Sequence, residues 1–154
     1  MSNVWANEPA APPVASTYNI GYLTLDDAVD KRYSDKTLFA KYLGQSLGRP
    51  EAGAETALKE VKYHGAALGV TFAIEVANAK TEADLTTQVT ALQQKGIKFI
   101  LADLPASALA ELAKATRGQE IALLNVSAAD DSLRQTQCQP NLYHLIPNYA
   151  MQTD

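Results

Sequence analysis

The chain has 154 residues, 47% of them hydrophobic and 19% charged, with a formal net charge of -4. That length supports one globular domain with a real core, and the acidic balance disfavours nucleic acid, which selects basic surfaces. No run approaches the about 18 apolar residues of a membrane span, and a single cysteine, Cys138, leaves no disulfide within the chain.

Residues 1–17 are polar, rich in Ala and Pro and without periodicity, and read as a disordered leader. Two readings fit it. Val4-Trp5-Ala6 spaces small residues as the end of a signal peptide does, with Asn7 as a mature start, although no apolar stretch precedes it; an ordinary loose terminus fits as well. Tyr18 to Leu25 (YNIGYLTL) is rich in strand formers and predicts a first strand. Asp26 to Arg32 is charged and turn-like. Ser34 then suits the cap of a helix with Leu38, Phe39, Tyr42, Leu43 and Leu47 on one face, broken at the loop Gly48-Arg49-Pro50.

A clearer helix follows Pro50, with Ala54, Ala57, Leu58, Val61 and Leu68 at helical spacing and Gly69 as its stop. Val70 to Val76 (VTFAIEV) predicts a strand. Thr81-Glu82-Ala83-Asp84 resembles a capping box with Asp for the usual Glu, ahead of a stripe of Leu85, Val89 and Leu92 that Gly96 closes. Ile97 to Leu101 predicts a strand, and Pro105 suits the first turn of a helix that buries Ala108, Leu109, Leu112 and Ala113 before Gly118. Ile121 to Val126 is a fourth strand. Ser127 to Pro140 is polar with one helical turn, and Asn141 to Pro147 is a fifth strand.

Alternation of this kind requires right-handed crossovers and a parallel sheet covered on both faces. The strands are mostly apolar throughout, as fully buried strands should be. The expected fold is α/β: a doubly wound, Rossmann-like, mostly parallel sheet of about five strands.

Ligands of such a sheet bind beyond the carboxyl ends of its strands. Those ends are Thr24-Leu25-Asp26-Asp27, Ala77-Asn78, Asp103 to Ser107, Asn125 to Ala129 and Pro147-Asn148. They are small and polar, which suits hydrogen bonding to a modest ligand. Several chemistries fall away. The first turn has no glycine to admit a pyrophosphate, and no GxxxxGK[ST] loop exists, so no nucleotide cofactor is expected. The two histidines, His64 on a helix and His144 in a strand, stand apart from any cluster of metal ligands and read as packing or surface residues. Ser127, His144 and Asp103 make a triad on paper, but Ser127 lacks the G-x-S-x-G elbow that exposes a nucleophile. No catalytic residue is assigned, and binding is expected rather than catalysis. Cys138 reads as a small buried hydrophobe, its partner, if it has one, lying in a longer parent chain.

Asp26, Asp27, Asp103 and Ser127 also imitate the acidic and hydroxyl set of a phosphate-accepting receiver domain. Two features oppose that alternative: Ile146 stands where a receiver carries Lys before Pro147, and Asp26 to Gly53 is too long for one compact helix. The plainer reading makes Asp26 and Asp27 solvated turn residues and Asp103 the cap of a helix.

The run from Leu123 to Pro147, LLNVSAADDSLRQTQCQPNLYHLIP, together with the Gly-Ala helix start at Gly53-Ala54, resembles the type I periplasmic binding proteins, the branched-chain amino-acid binding class. YLTLDD (Tyr22 to Asp27), LGRPEAGAE (Leu47 to Glu55), LADLPA (Leu101 to Ala106) and NVSAADDSLR (Asn125 to Arg134) resemble a narrower subgroup, associated with pyrroloquinoline-quinone-dependent alcohol oxidation. The resemblance covers roughly residues 18–154. It implies a periplasmic solute-binding component of an ABC transporter, secreted and not itself membrane-spanning, whose partners are a small solute and a membrane permease. It implies residues 18–150 as the N-terminal lobe and 151–154 as the start of a crossover to a second lobe. Carried over residue by residue, the ligand-binding set is Asn125, Ser127, Ala128 and Ala129 after strand four and Asp103, Pro105, Ala106 and Ser107 after strand three. Tyr22, Asp27 and Arg49 are expected on the rim. Pro105 lacks the backbone donor that amino-acid binders offer there.

Overall fold

The computed structural model describes residues 16–33 and 48–153. The leader up to residue 15, the helix expected from Ser34 to Leu47 and Asp154 lie outside the described residues. Five strands form one all-parallel sheet: β1 (Ser16–Leu25), β2 (Val70–Ala79), β3 (Phe99–Asp103), β4 (Ala122–Asn125) and β5 (Leu142–His144), in the spatial order β2-β1-β3-β4-β5. The crossovers carry α1 (Glu51–Ala67), α2 (Leu85–Gln94) and α3 (Ala106–Ala115); α4 (Tyr149–Thr153) follows β5. The expected doubly wound sheet is therefore present. From β1 the chain moves one way to β2 and then returns to the other side as β3. The switch in direction falls between β1 and β3, where a crevice opens at the carboxyl ends.

Strand limits follow pairing rather than composition. β1 starts two residues earlier than Tyr18 because Ser16 and Thr17 pair with Val70 and Thr71. β2 runs three residues past Val76, so Ala77 and Asn78, expected beyond the strand, sit inside the sheet opposite Leu23 and Thr24. β3 is displaced by two, which makes Asp103 its last residue, opposite Thr24. β5 keeps only three residues of its expected seven.

One face of the sheet supplies the main core. Leu23, Leu25, Ile100, Ala102 and Leu123 meet Leu85, Val89 and Leu92 of α2 and Ala108, Leu109, Leu112 and Ala113 of α3, all buried. The capping box forms: Asp84 Oδ2 accepts from the Thr81 backbone N–H at 3.0 Å and from its hydroxyl at 2.8 Å, although it caps a short 3-10 turn that leads into α2. Gly96 (φ 77°) and Gly118 (φ 82°) take the left-handed conformation that ends α2 and the α3 region without a Cβ clash.

The other face holds α1 over Ile20, Phe72, Ile74 and Leu101 through Ala54, Ala57, Leu58 and Val61. Leu68, expected on this buried stripe, lies past the helix end and is exposed. Phe99 and Tyr143 are also exposed on this side, because α1 covers only the β1–β2 half. Gly65 sets how closely α1 approaches: a Cβ there would come within 2.6 Å of the Val70 carbonyl oxygen. Gly65→Ala is expected to cost about 1–3 kcal/mol in urea unfolding. Gly53→Ala, with open space around it, should instead be neutral or stabilising by up to about 1 kcal/mol.

Candidate functional site

The carboxyl ends of β1, β3 and β4 are tied together by one polar network centred on Asp103. Its side chain is fully buried and accepts four hydrogen bonds: from Tyr33 Oη (2.7 Å) and Arg32 Nη2 (3.1 Å) at Oδ1, and from Arg49 Nη1 (2.9 Å) and Tyr22 Oη (3.1 Å) at Oδ2. β1 delivers Tyr22 and Thr24, the turn after it delivers Asp30, Arg32 and Tyr33, and the loop before α1 delivers Arg49. Because Tyr22 and Thr24 are two apart on a strand, both point to the α1 side, where Asp103 points also.

A second buried carboxyl, Asp30, meets Arg32 through Nε (3.0 Å) and Nη2 (2.7 Å) and accepts the Arg32 backbone N–H at 3.1 Å. Arg32 Nη1 reaches Ser127 Oγ at 2.9 Å. Arg49 also bonds Thr24 Oγ1, donates to the Leu25 carbonyl at 2.8 Å, and lies 4.4 Å above the centre of the Tyr33 ring; Arg32 lies 5.1 Å from the same centre. Two arginines thus face two buried carboxyls with an aromatic plate against both. Burying charge is costly unless each group is paired and hydrogen-bonded, and here every one is.

The protonation states follow. Burial pushes the Tyr22 and Tyr33 phenols well above their ordinary range, and the adjacent Asp103 pushes them further, so both remain donors. Burial alone would raise the Asp30 carboxyl, but the Arg32 hydrogen bonds and charge outweigh it and hold Asp30 below the usual carboxylate range. Burial would lower the Arg32 and Arg49 guanidiniums, and their Asp partners reverse the shift. A depressed native carboxyl stabilises the fold above the unfolded pKa and loses that contribution as pH falls through the native value. Urea midpoints should therefore fall as pH drops below the ordinary aspartate range, near 4. Asp30→Asn should lose part of that acid dependence.

At the end of β4, Asn125 is fully buried and shapes the loop that follows. Its Oδ1 accepts the backbone N–H groups of Ser127 (3.2 Å) and Ala128 (2.9 Å), and its Nδ2 donates to the Ala128 carbonyl (2.7 Å) and faces His144 Nδ1 at 3.0 Å. His144 is held below its usual pKa by burial and by the charge of Arg134.

Several expectations change on this geometry. Tyr22, expected on the rim, lies beneath it, fully buried under Asp103. Asp103 is not a helix cap; its bonds go to tyrosines and arginines. Arg49, expected on the rim, keeps only 17% of its side chain exposed and reaches inward to Asp103. Asn125 and Ala128 are buried and support the loop, while Ser127 and Ala129 are half-buried at its surface. Pro105, Ala106 and Ser107 open α3, with Ser107 exposed and no contact to the arginines described. The receiver-like set does not assemble: Asp26 turns away to Lys80 at 2.9 Å, and both oxygens of Asp103 are occupied. Cys138, expected buried, is exposed. Among the described residues no group of three or more His, Cys, Asp or Glu could hold a metal ion, and no helix is long and apolar enough to cross a membrane. Asp30, Arg32 and Tyr33 join the site without any spacing signal in the sequence; the one trace of them there is the density of charge directly after the first strand.

No protein-family model and no curated protein matches the chain. Solved structures do. An ABC transporter substrate-binding protein from Desulfitobacterium hafniense in complex with Leu superposes with a TM-score of 0.60 at 16% identity, covering 86% of this chain and 35% of its own; a second structure, described as an ABC transporter substrate-binding protein from the same organism, gives 0.57 at 16% identity, with 86% and 35% covered. The branched-chain amino acid transporter substrate-binding protein LivJ from Streptococcus pneumoniae, in complex with isoleucine, gives 0.58 at 17% identity, with 86% and 34% covered. The chain has the fold of one lobe of a periplasmic binding protein and spans about a third of the length of these neighbours.

Proposed function

We propose that this chain is the first lobe of a two-lobed solute-binding protein serving an ABC transporter, and that it holds a small solute at the carboxyl ends of β1, β3 and β4. The observation that carries the reading is the convergence of Arg32, Arg49, Tyr33 and Ser127 at the switch point of the sheet, in a fold shared with substrate-binding proteins. Such a lobe supplies half of a cleft, and closure of a second lobe around a hinge completes it. The solute reaches it outside the cytoplasmic membrane, and a membrane permease receives it. The narrower link to quinoprotein alcohol oxidation rests on the four motifs YLTLDD, LGRPEAGAE, LADLPA and NVSAADDSLR.

Thermal denaturation against a panel of small solutes tests the reading, with leucine and isoleucine among them. A solute at a hundred times its Kd stabilises the native state by about 2.7 kcal/mol, roughly 5–10 °C for a domain of this size. The shift should vanish in Arg32→Gln. If no member of a broad panel raises the melting temperature at any concentration, the solute-binding reading fails.

A further inference from the structure

The inference rests on the solute-binding reading and adds the chemical class of the solute. We propose that Asp27 is a built-in stand-in for the acidic group of a carboxylate-bearing solute, occupying the outer edge of the Arg49 guanidinium until the solute takes its place.

The inner edge of Arg49 is fixed without Asp27. Nη1 bonds buried Asp103 and Thr24, Nη2 donates to the Leu25 carbonyl, and the Tyr33 ring supports the plane. The guanidinium is therefore held rigid before any ligand arrives. Its outer edge meets Asp27 poorly: Nε at 3.2 Å and Nη2 at 2.5 Å both reach the same oxygen, Oδ1. A guanidinium presents its N–H groups as a fork that fits the two oxygens of a carboxylate in parallel. A carboxylate free of the chain can take that geometry; Asp27, tethered in the turn after β1, does not.

Displacement is easy. The Asp27 side chain is 76% exposed against 17% for Arg49, and exposed ion pairs contribute little. Charge counting points the same way. Within the described ion pairs, Arg32 and Arg49 are already matched by buried Asp30 and Asp103, so Asp27 is a third carboxylate on two guanidiniums. Exchanging one carboxylate for another leaves the balance of the site unchanged. A neutral solute offers Arg49 nothing to replace it.

The test is a nitrogen-15 NMR titration of the full chain at fixed ionic strength, with acetate and lactate against acetamide and lactamide, following the Arg49 Nε–H signal and the amides of Ser127 to Ala129. The carboxylates should move the Arg49 signal saturably and the amides should not. Asp27→Asn, at an exposed position that does not endanger the fold, should tighten carboxylate binding about fivefold. Arg49→Gln should abolish it, and Asp27→Asn carries the conclusion should Arg49→Gln fail to fold. Unchanged carboxylate affinity in Asp27→Asn overturns the proposal. If neutral solutes move the Ser127 to Ala129 amides while Arg49 stays still, the exchange is wrong and the solute-binding lobe stands. If no probe moves any of these signals in either protein, both readings fall.

Discussion

Asp103→Ala is expected to destabilise the protein by about 3–5 kcal/mol, measured by urea unfolding at neutral pH, because it removes one partner of a buried ion network and leaves the other charges uncompensated. Asp103 is fully buried and its two oxygens hold two arginines and two tyrosines drawn from three parts of the chain. Loss of that carboxyl leaves Arg32 and Arg49 with Asp30 as the one buried counter-charge among the described residues, and removes the acceptor of the buried Tyr22 phenol and one partner of the half-buried Tyr33 phenol. The effect is a large share of the about 5–15 kcal/mol that holds a domain folded. Asp27→Ala, which breaks an exposed ion pair to the same Arg49, should change stability by no more than about 1 kcal/mol. The contrast separates the buried half of the network from its solvated half. Adding Arg49→Met to Asp103→Ala should recover part of the loss, since the double variant no longer buries a guanidinium without its partner.

Leu109→Ala should cost about 2–5 kcal/mol by the same measurement. Five of the ten residues of α3 are buried, and Leu109 is fully buried among them, next to Leu104 and the sheet. Truncation there removes apolar burial and leaves a cavity that the flanking alanines are too small to fill. Leu109→Met, which nearly conserves volume, should stay within about 1.5 kcal/mol. Retained carboxylate binding by Leu109→Ala at low temperature would show that the core and the site are separable.

The architecture was legible because it rests on long-wavelength patterns. Apolar runs bounded by Gly and Pro marked the strands, and the stripe of Leu85, Val89 and Leu92 marked its helix. The parallel sheet followed from their alternation. Strand ends were less legible: Asn78 and Asp103 belong to the sheet because of what lies opposite them on β1, and that is absent from local composition. The site was half legible. Its place at the strand ends followed from fold class, and Asp103, Ser127 and Arg49 were named. Asp30, Arg32 and Tyr33 were not, because a charged turn reads as solvated unless its distant partner is known. Arg32 and Asp103 are 71 residues apart in sequence, and no spacing rule joins them. Tyr22 reads as a rim residue for the same reason: its phenol is tied to Asp103, 81 residues further along the chain.

The strand order has a consequence in time. Of the five strands β1 comes first in the chain, yet it lies inside the sheet, and both strands that flank it come later. Nothing can pair with its two edges until β2 and then β3 have arrived. The tie from Tyr22 to Asp103 spans 81 residues and the tie from Arg32 to the same carboxyl spans 71, so neither closes until β3 has been reached. Contacts of such long range make for slow folding. The charged knot at the carboxyl ends therefore closes late, as the lock on a sheet already assembled rather than as the seed from which it grows.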